Sequence, residues 1–178
     1  MKKTAWFLSD IDLATQVLPY VPSGEDPPSE ELQEYEKFRI LGGKTERDHV
    51  SGDYRPLCLY SFPNYPDGAL RTSVNQMARL VITYIDNGSY GRERILASDT
   101  VRLMLTPQAA TTPEQGLCWA TSERKGQRYW GHNGGDPGIR TTMSFRPSDG
   151  VGVIVFVNRA GVELSKINER LYEESSRF

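Results

Sequence analysis

The sequence predicts an α+β fold in which an antiparallel meander sheet is flanked by helices. Apolar residues recur at helical spacing from Val74 to Ile85, and four strand-like segments with short connections follow between residues 116 and 158. A last amphipathic stretch begins after Gly161. Consecutive strands bracketed by helices place those helices on the faces of one sheet.

The chain has 178 residues, enough for one domain with a real core. Its 21 Lys plus Arg stand against 23 Asp plus Glu, a net charge of −2, so it lacks the basic footprint of a nucleic-acid binder. A mean hydropathy of −0.52 argues equally against a membrane protein. Cys58 and Cys118 are too few for a disulfide scaffold and sit in no Cys/His cluster, so no metal is expected. Met1–Leu8 opens like an export signal, but Asp10 and Asp12 interrupt the apolar run. With no export signal and no membrane span read, a cytoplasmic location is expected.

Residues 1–66 read as a loop-rich segment. Between Val21 and Lys37 lie three prolines and six acidic residues, an exposed acidic loop with room for one helical turn at Ser29–Tyr35. Recurring glycine and proline around Leu57–Phe62 leave space only for short strands. Residues 67–107 read as helical. Ser73-Val74-Asn75-Gln76 has capping-box form, Val74, Met77, Val81, Tyr84 and Ile85 share a face, and Gly88 supplies the stop. A shorter helix starts at Ser98-Asp99, carries Val101, Met104 and Leu105 on one face, and ends before Pro107.

The period then becomes that of strands. Gly116–Ser122 and Gln127–His132 lie around Arg124-Lys125-Gly126, while Ile139–Arg146 and Val151–Asn158 flank the turn Pro147–Gly150. Val151–Asn158 is apolar almost throughout, so it is predicted to be the most buried strand, covered on both faces. Residues 162–176 form the closing helix, with Leu164, Ile167 and Leu171 as the face expected to pack on the sheet.

The most unusual local sequence is Trp130-Gly131-His132-Asn133-Gly134-Gly135-Asp136-Pro137-Gly138. A strand that runs into several glycines lets another molecule approach its backbone, and unpaired glycine amides can face an anion or a developing oxyanion. An ordinary glycine-rich turn beside an exposed histidine is the competing reading.

The order of motifs resembles the C-terminal half of the serine β-lactamase and penicillin-binding-protein-like hydrolases, especially the class C and esterase branch. Met1–Trp6 is similar to that family's "LGMKNT" junction, and Pro66–Ser73 followed by Gln76–Leu80 is similar to "PAGGLxST" and "DMARF". Tyr90–Ser98 and Leu105–Gln108 look like "GGxRILSxxT" and the close of its helix, and His132–Gly138 resembles the third catalytic motif, "HTGGTPG". The resemblance covers nearly the whole chain and implies the C-terminal part of the β-lactamase/transpeptidase-like fold. It also implies serine acylation of a lactam, ester or D-amino-acid peptide, with no cofactor. By position, His132 would tune the electrostatics around the nucleophile, Asn133 would face substrate and Gly134 would keep the strand edge open. The N–H of Gly135 would be an oxyanion donor.

The nucleophile is missing from this pattern. Ser122-Glu123-Arg124-Lys125 spells S-x-x-K at a predicted hairpin tip rather than at the start of a buried helix, and Ser73-Val74-Asn75 matches the family's helix start. No Y-x-N is present. In the family both motifs precede the junction that Met1–Thr4 resembles. The chain is therefore expected to be one partial domain, inactive alone, with enzyme status open. The alternative is a non-catalytic binding or self-assembling module. Expected partners are a second copy of the chain or a separately encoded N-terminal half, with a small acyl substrate only if the site is completed. The resemblance leaves a periplasmic setting open for intact members. His49 reads as a surface residue, and Tyr60, Phe62, Tyr65, Trp119, Tyr129 and Trp130 as sheet packing in preference to a ligand pocket.

Overall fold

The computed structural model describes residues 3–23, 52–57, 59–60 and 65–175. They fall into two compact units. One comprises Met1–Ser73, Gly134–Arg140 and Phe156–Val162, the other Val74–Asn133, Thr141–Val155 and Glu163–Phe178. Most of the predicted acidic loop, its helical turn, Cys58, Phe62 and His49 lie outside the described residues.

In the second unit, α1 (Val74–Ile85) buries Met77, Val81 and Tyr84, the face set by their spacing. Asn87 and Gly88 end it in the left-handed region, at φ 50° and 98°. Glycine is required at the second position, because a Cβ there would lie 2.0 Å from the Leu96 carbonyl oxygen. The two-residue strands β3 (Ser89–Tyr90) and β4 (Glu93–Arg94) pair beyond this stop. They lead into α2 (Ser98–Met104), which buries Val101.

The last four strands are β5 (Ala120–Arg124), β6 (Gln127–Asp136), β7 (Ile139–Arg146) and β8 (Val151–Val157). They lie side by side in chain order, as the meander required. Within the second unit, one sheet face joins Phe145, Trp130 and Ile154 to Val81, Tyr84, Val101 and Trp119. Trp119 packs edge-on to Phe145 at 5.1 Å and to Tyr84 at 4.8 Å. Close approach of α1 depends on Gly152, where a Cβ would stand 2.8 Å from Val81 Cγ1. Phe145 is fully buried, and removing a side chain of that size from water contributes about 1.5–3 kcal/mol.

The opposite face carries α3 (Ser165–Ser175) and is far more polar. Tyr129, Val153 and Tyr172 form its small apolar cluster. Around them Ser144 and Tyr172 share a 2.9 Å hydrogen bond, and Asn168 Nδ2 donates to Thr142 Oγ1 at 3.3 Å. The Arg146 guanidinium lies 5.4 Å from the ring centre of Tyr129 and 4.9 Å from that of Tyr172, and it pairs with Asp149 at 2.7 Å. Burial works against its charge, but hydrogen bonding and attraction from Tyr129, joined by Asp149, outweigh it and raise its pKa. Burial pushes the Tyr172 phenol up to about 12.

Two sequence expectations change here. Leu164, Ile167 and Leu171 do not form the packing face of α3: Asn168 and Tyr172 are buried, whereas Ile167 is 38% and Leu171 42% exposed. The sheet presents Thr142, Ser144 and Arg146 to this helix, so polar complementarity sets its rotation. The apolar β8 is not the most buried strand either. It buries only Val153, against Thr142, Phe145 and Arg146 in β7, because β8 is the end strand of the four.

In the first unit, β1 (Tyr20–Pro22) pairs with β2 (Tyr54–Pro56). The Tyr20 N–H donates to the Asn158 carbonyl at 3.0 Å, and the Tyr20 carbonyl accepts from the Ala160 N–H at 2.9 Å. Gly138, at φ 72°, is pressed so close that a Cβ would lie 2.7 Å from that of Pro19. Ala5 and Arg71 exchange backbone hydrogen bonds of 3.1 and 2.9 Å, and Thr4 and Thr72 join their hydroxyls at 2.8 Å. The N-terminal junction and the turn before α1 are thus one local structure. No helix among the described residues is long and apolar enough to cross a membrane.

Candidate functional site

The predicted site residues are consecutive positions of β6, and that strand changes character along its length. Tyr129 and Trp130 are buried, whereas His132, Asn133, Gly134 and Gly135 are exposed. The strand was expected to stop at His132 but continues to Asp136 before reversing through Pro137-Gly138. A two-residue hairpin connection lets the glycines stay in the ladder with β7 instead of forming a loose turn.

The other neighbour ends earlier. Pairing with β5 runs from Arg124↔Gln127 to Ala120↔Gly131, so His132–Asp136 extend past the last β5 pair. Neither His132 nor Asn133 has a side-chain hydrogen bond among the described residues. The result is an exposed stretch of strand with small residues, whose backbone groups a ligand can reach.

The first-unit part of this stretch adds a cation that sequence reasoning missed. A Cβ on Gly135 would stand 2.9 Å from Arg140 Nη1, so the Arg140 guanidinium lies over the bare glycine. Arg140 Nη1 donates to the Ile139 carbonyl at 3.0 Å and to the Asp136 carbonyl at 3.4 Å. Arg140 is exposed and has no carboxylate partner among the described residues. The signal was present in the sequence: once Pro137-Gly138 is read as the turn, Arg140 falls opposite Gly135. Tyr60 steadies the turn from the same unit, donating its hydroxyl to the Pro137 carbonyl at 2.9 Å. Arg71 donates to the carbonyls of Trp6, Ala69 and Tyr60. Burial lowers the Arg71 pKa, opposed by Tyr60 and then Asp136.

Neither serine decoy opens a buried helix turn of the S-x-x-K kind: Ser122 is within a strand and not at the hairpin tip. Ser122 lies in β5 opposite Tyr129, and Lys125 caps the hairpin at φ 51°, reaching Glu169 at 3.6 Å and Glu173 at 3.5 Å. Ser73 stands immediately before α1. Tyr60, Trp119, Tyr129 and Trp130 are core residues, whereas Tyr65 is 37% exposed beside Phe7 at 4.8 Å and Trp6 at 6.2 Å. No group of three His, Cys, Asp or Glu side chains among the described residues is arranged to hold a metal ion.

A helix-flanked antiparallel meander is the arrangement expected of the C-terminal part of the β-lactamase/transpeptidase-like fold. The chain belongs to the Beta-lactamase family, whose model matches residues 11–175. Its fold is also similar to that of an octameric penicillin-binding protein homologue from Pyrococcus abyssi, at 19% identity and a TM-score of 0.59. That match covers 93% of this chain but 32% of the other, so the chain spans about a third of its structural neighbour. Among curated proteins nothing matches.

Proposed function

We propose that this chain is the C-terminal portion of a β-lactamase-like serine hydrolase, supplying one wall of an acyl-transfer site and inert alone. The carrying observation is the exposed end of β6 beyond its last β5 pair. In this reading the Gly135 N–H donates to the oxyanion that forms when a serine attacks a carbonyl, a contact that strengthens as charge develops. Gly134 keeps the edge open, Asn133 contacts substrate, and His132 sets the local field for the nucleophile. Arg140 takes an anionic group of the substrate beside Gly135, for which its exposed guanidinium, with no carboxylate partner among the described residues, is suited. In this reading the serine, its lysine and the Y-x-N tyrosine are supplied from outside these 178 residues, and neither Ser122 nor Ser73 replaces them.

Titration of the isotopically labelled chain with benzylpenicillin tests the wall. Amide shifts centred on Gly134, Gly135 and Arg140, without ring opening, are expected. Shifts scattered over the surface would sink the reading.

The second reading is a non-catalytic, self-assembling module in the cytoplasm. It is favoured by the apolar residues exposed on α3, and the octameric state of the structural neighbour is consistent with it.

A further inference from the structure

The hairpin that carries Gly135 and Arg140 turns on residues that suit a hairpin poorly. β6 ends at Asp136 and β7 begins at Ile139, so Pro137 and Gly138 alone make the connection. A two-residue connection follows the right-handed twist of its strands when the first of the two residues has a positive φ. The ring of Pro137 fixes its φ at about −65°. Only Gly138 is positive, at 72°. This is the pattern of a type II turn, which splays the strands it joins. Beyond Gly131 the strand also has no β5 partner to steady it.

Contacts from outside the hairpin hold this turn. The Tyr60 hydroxyl donates to the Pro137 carbonyl at 2.9 Å, and the Tyr20 N–H donates to the Gly138 carbonyl at 3.3 Å. Tyr60 is 6% exposed, so packing fixes its ring. Its own carbonyl accepts from Arg71, whose guanidinium also holds the carbonyls of Trp6 at 2.8 Å and Ala69 at 3.0 Å. Arg140 binds the carbonyls of Asp136 and Ile139. Every carbonyl from Asp136 to Ile139 therefore has a donor, and Tyr60 supplies the one that comes from a buried side chain. We propose that Tyr60 is a positioning residue of the wall: its hydroxyl, braced by Arg71, holds the turn and so sets the Gly135 N–H and the Arg140 guanidinium in place. An oxyanion donor works within about 2.7–3.1 Å of the developing charge, so a small shift of the turn is felt there. Tyr60 touches no substrate and acts through the Pro137 carbonyl.

The roles of Gly135 and Arg140 rest on the hydrolase reading above, whereas the bracing of the turn does not, and spectra of the labelled chain with and without benzylpenicillin separate the two. Without ligand, Tyr60→Phe keeps the ring and loses the hydroxyl, and it should shift the Gly135 and Arg140 amides while those of Val81 and Phe145 stay in place. Tyr20→Phe should shift neither site amide, because Tyr20 meets the turn through its backbone. Arg71→Lys keeps the charge without the fork that binds three carbonyls, and should move the same amides as Tyr60→Phe. With ligand, Tyr60→Phe should weaken benzylpenicillin binding about threefold to tenfold, the worth of one hydrogen bond. Site amides unmoved in both Tyr60→Phe and Arg71→Lys, site amides moved equally by Tyr20→Phe, or wild-type affinity kept by Tyr60→Phe would overturn the proposal. A wild-type chain that binds no penicillin would count against the hydrolase reading instead, and the ligand-free spectra would still decide the bracing.

Discussion

The two faces of the sheet in the second unit are built on different physics. The face under α1 and α2 is apolar and aromatic, with Phe145, Trp119, Trp130 and Tyr84 interlocked. The face under α3 is held by a network, Tyr129–Arg146–Tyr172–Ser144 with Thr142–Asn168 beside it. Apolar packing tolerates only matching shapes, whereas a polar network fixes the rotation of the helix it holds. The second face therefore spends the apolar residues of α3 elsewhere, on the exposed flank.

That contrast orders the expected effects of mutation. Phe145→Ala should cost about 3–5 kcal/mol in denaturant unfolding, the largest single loss, because it empties the centre of the close-packed face. Arg146→Met should cost about 1–3 kcal/mol, since it leaves the hydroxyl of Tyr129 and the amide oxygen of Gln127 without their charged donor. A cost as large as that of Phe145→Ala would erase the distinction between the faces. Tyr172→Phe should cost about 0.5–1.5 kcal/mol through the lost Ser144 hydrogen bond.

The same tyrosine gives a pH signature. Its folded pKa is raised to about 12 from 10.0, so the neutral phenol is the form that the fold favours. The stability it contributes is complete below pH 10 and is lost as pH rises from 10 towards 12. Melting temperature followed across that window should fall for wild type, and Tyr172→Phe should remove this component. The smallest effect is expected at the open end of β6: His132→Ala should change stability by less than about 0.5 kcal/mol, as an exposed side chain with no hydrogen-bond partner among the described residues.

Much of this organisation was legible in the sequence. Val74–Ile85, Ser98–Met104 and Ile139–Arg146 are visible because their spacing and their stops are local, set by Gly88, Pro107 and Pro147–Gly150. What the sequence concealed depends on neighbours. The rotation of α3 follows from Ser144 and Arg146 on a distant strand, and the exposure of β8 follows from its place at the end of the sheet. In the candidate site, His132–Gly135 stood out by composition, but the extension of the strand to Asp136 and the placing of Arg140 over Gly135 required the register of the hairpin.

The most direct test of the central claim, an open wall without its nucleophile, is intact-mass spectrometry of the purified chain after incubation with a fluorescent penicillin and a p-nitrophenyl ester. The account predicts an unmodified mass and no p-nitrophenol release above buffer. An acyl adduct mapped to Ser122 or Ser73, abolished by Ser→Ala at that position, would contradict it.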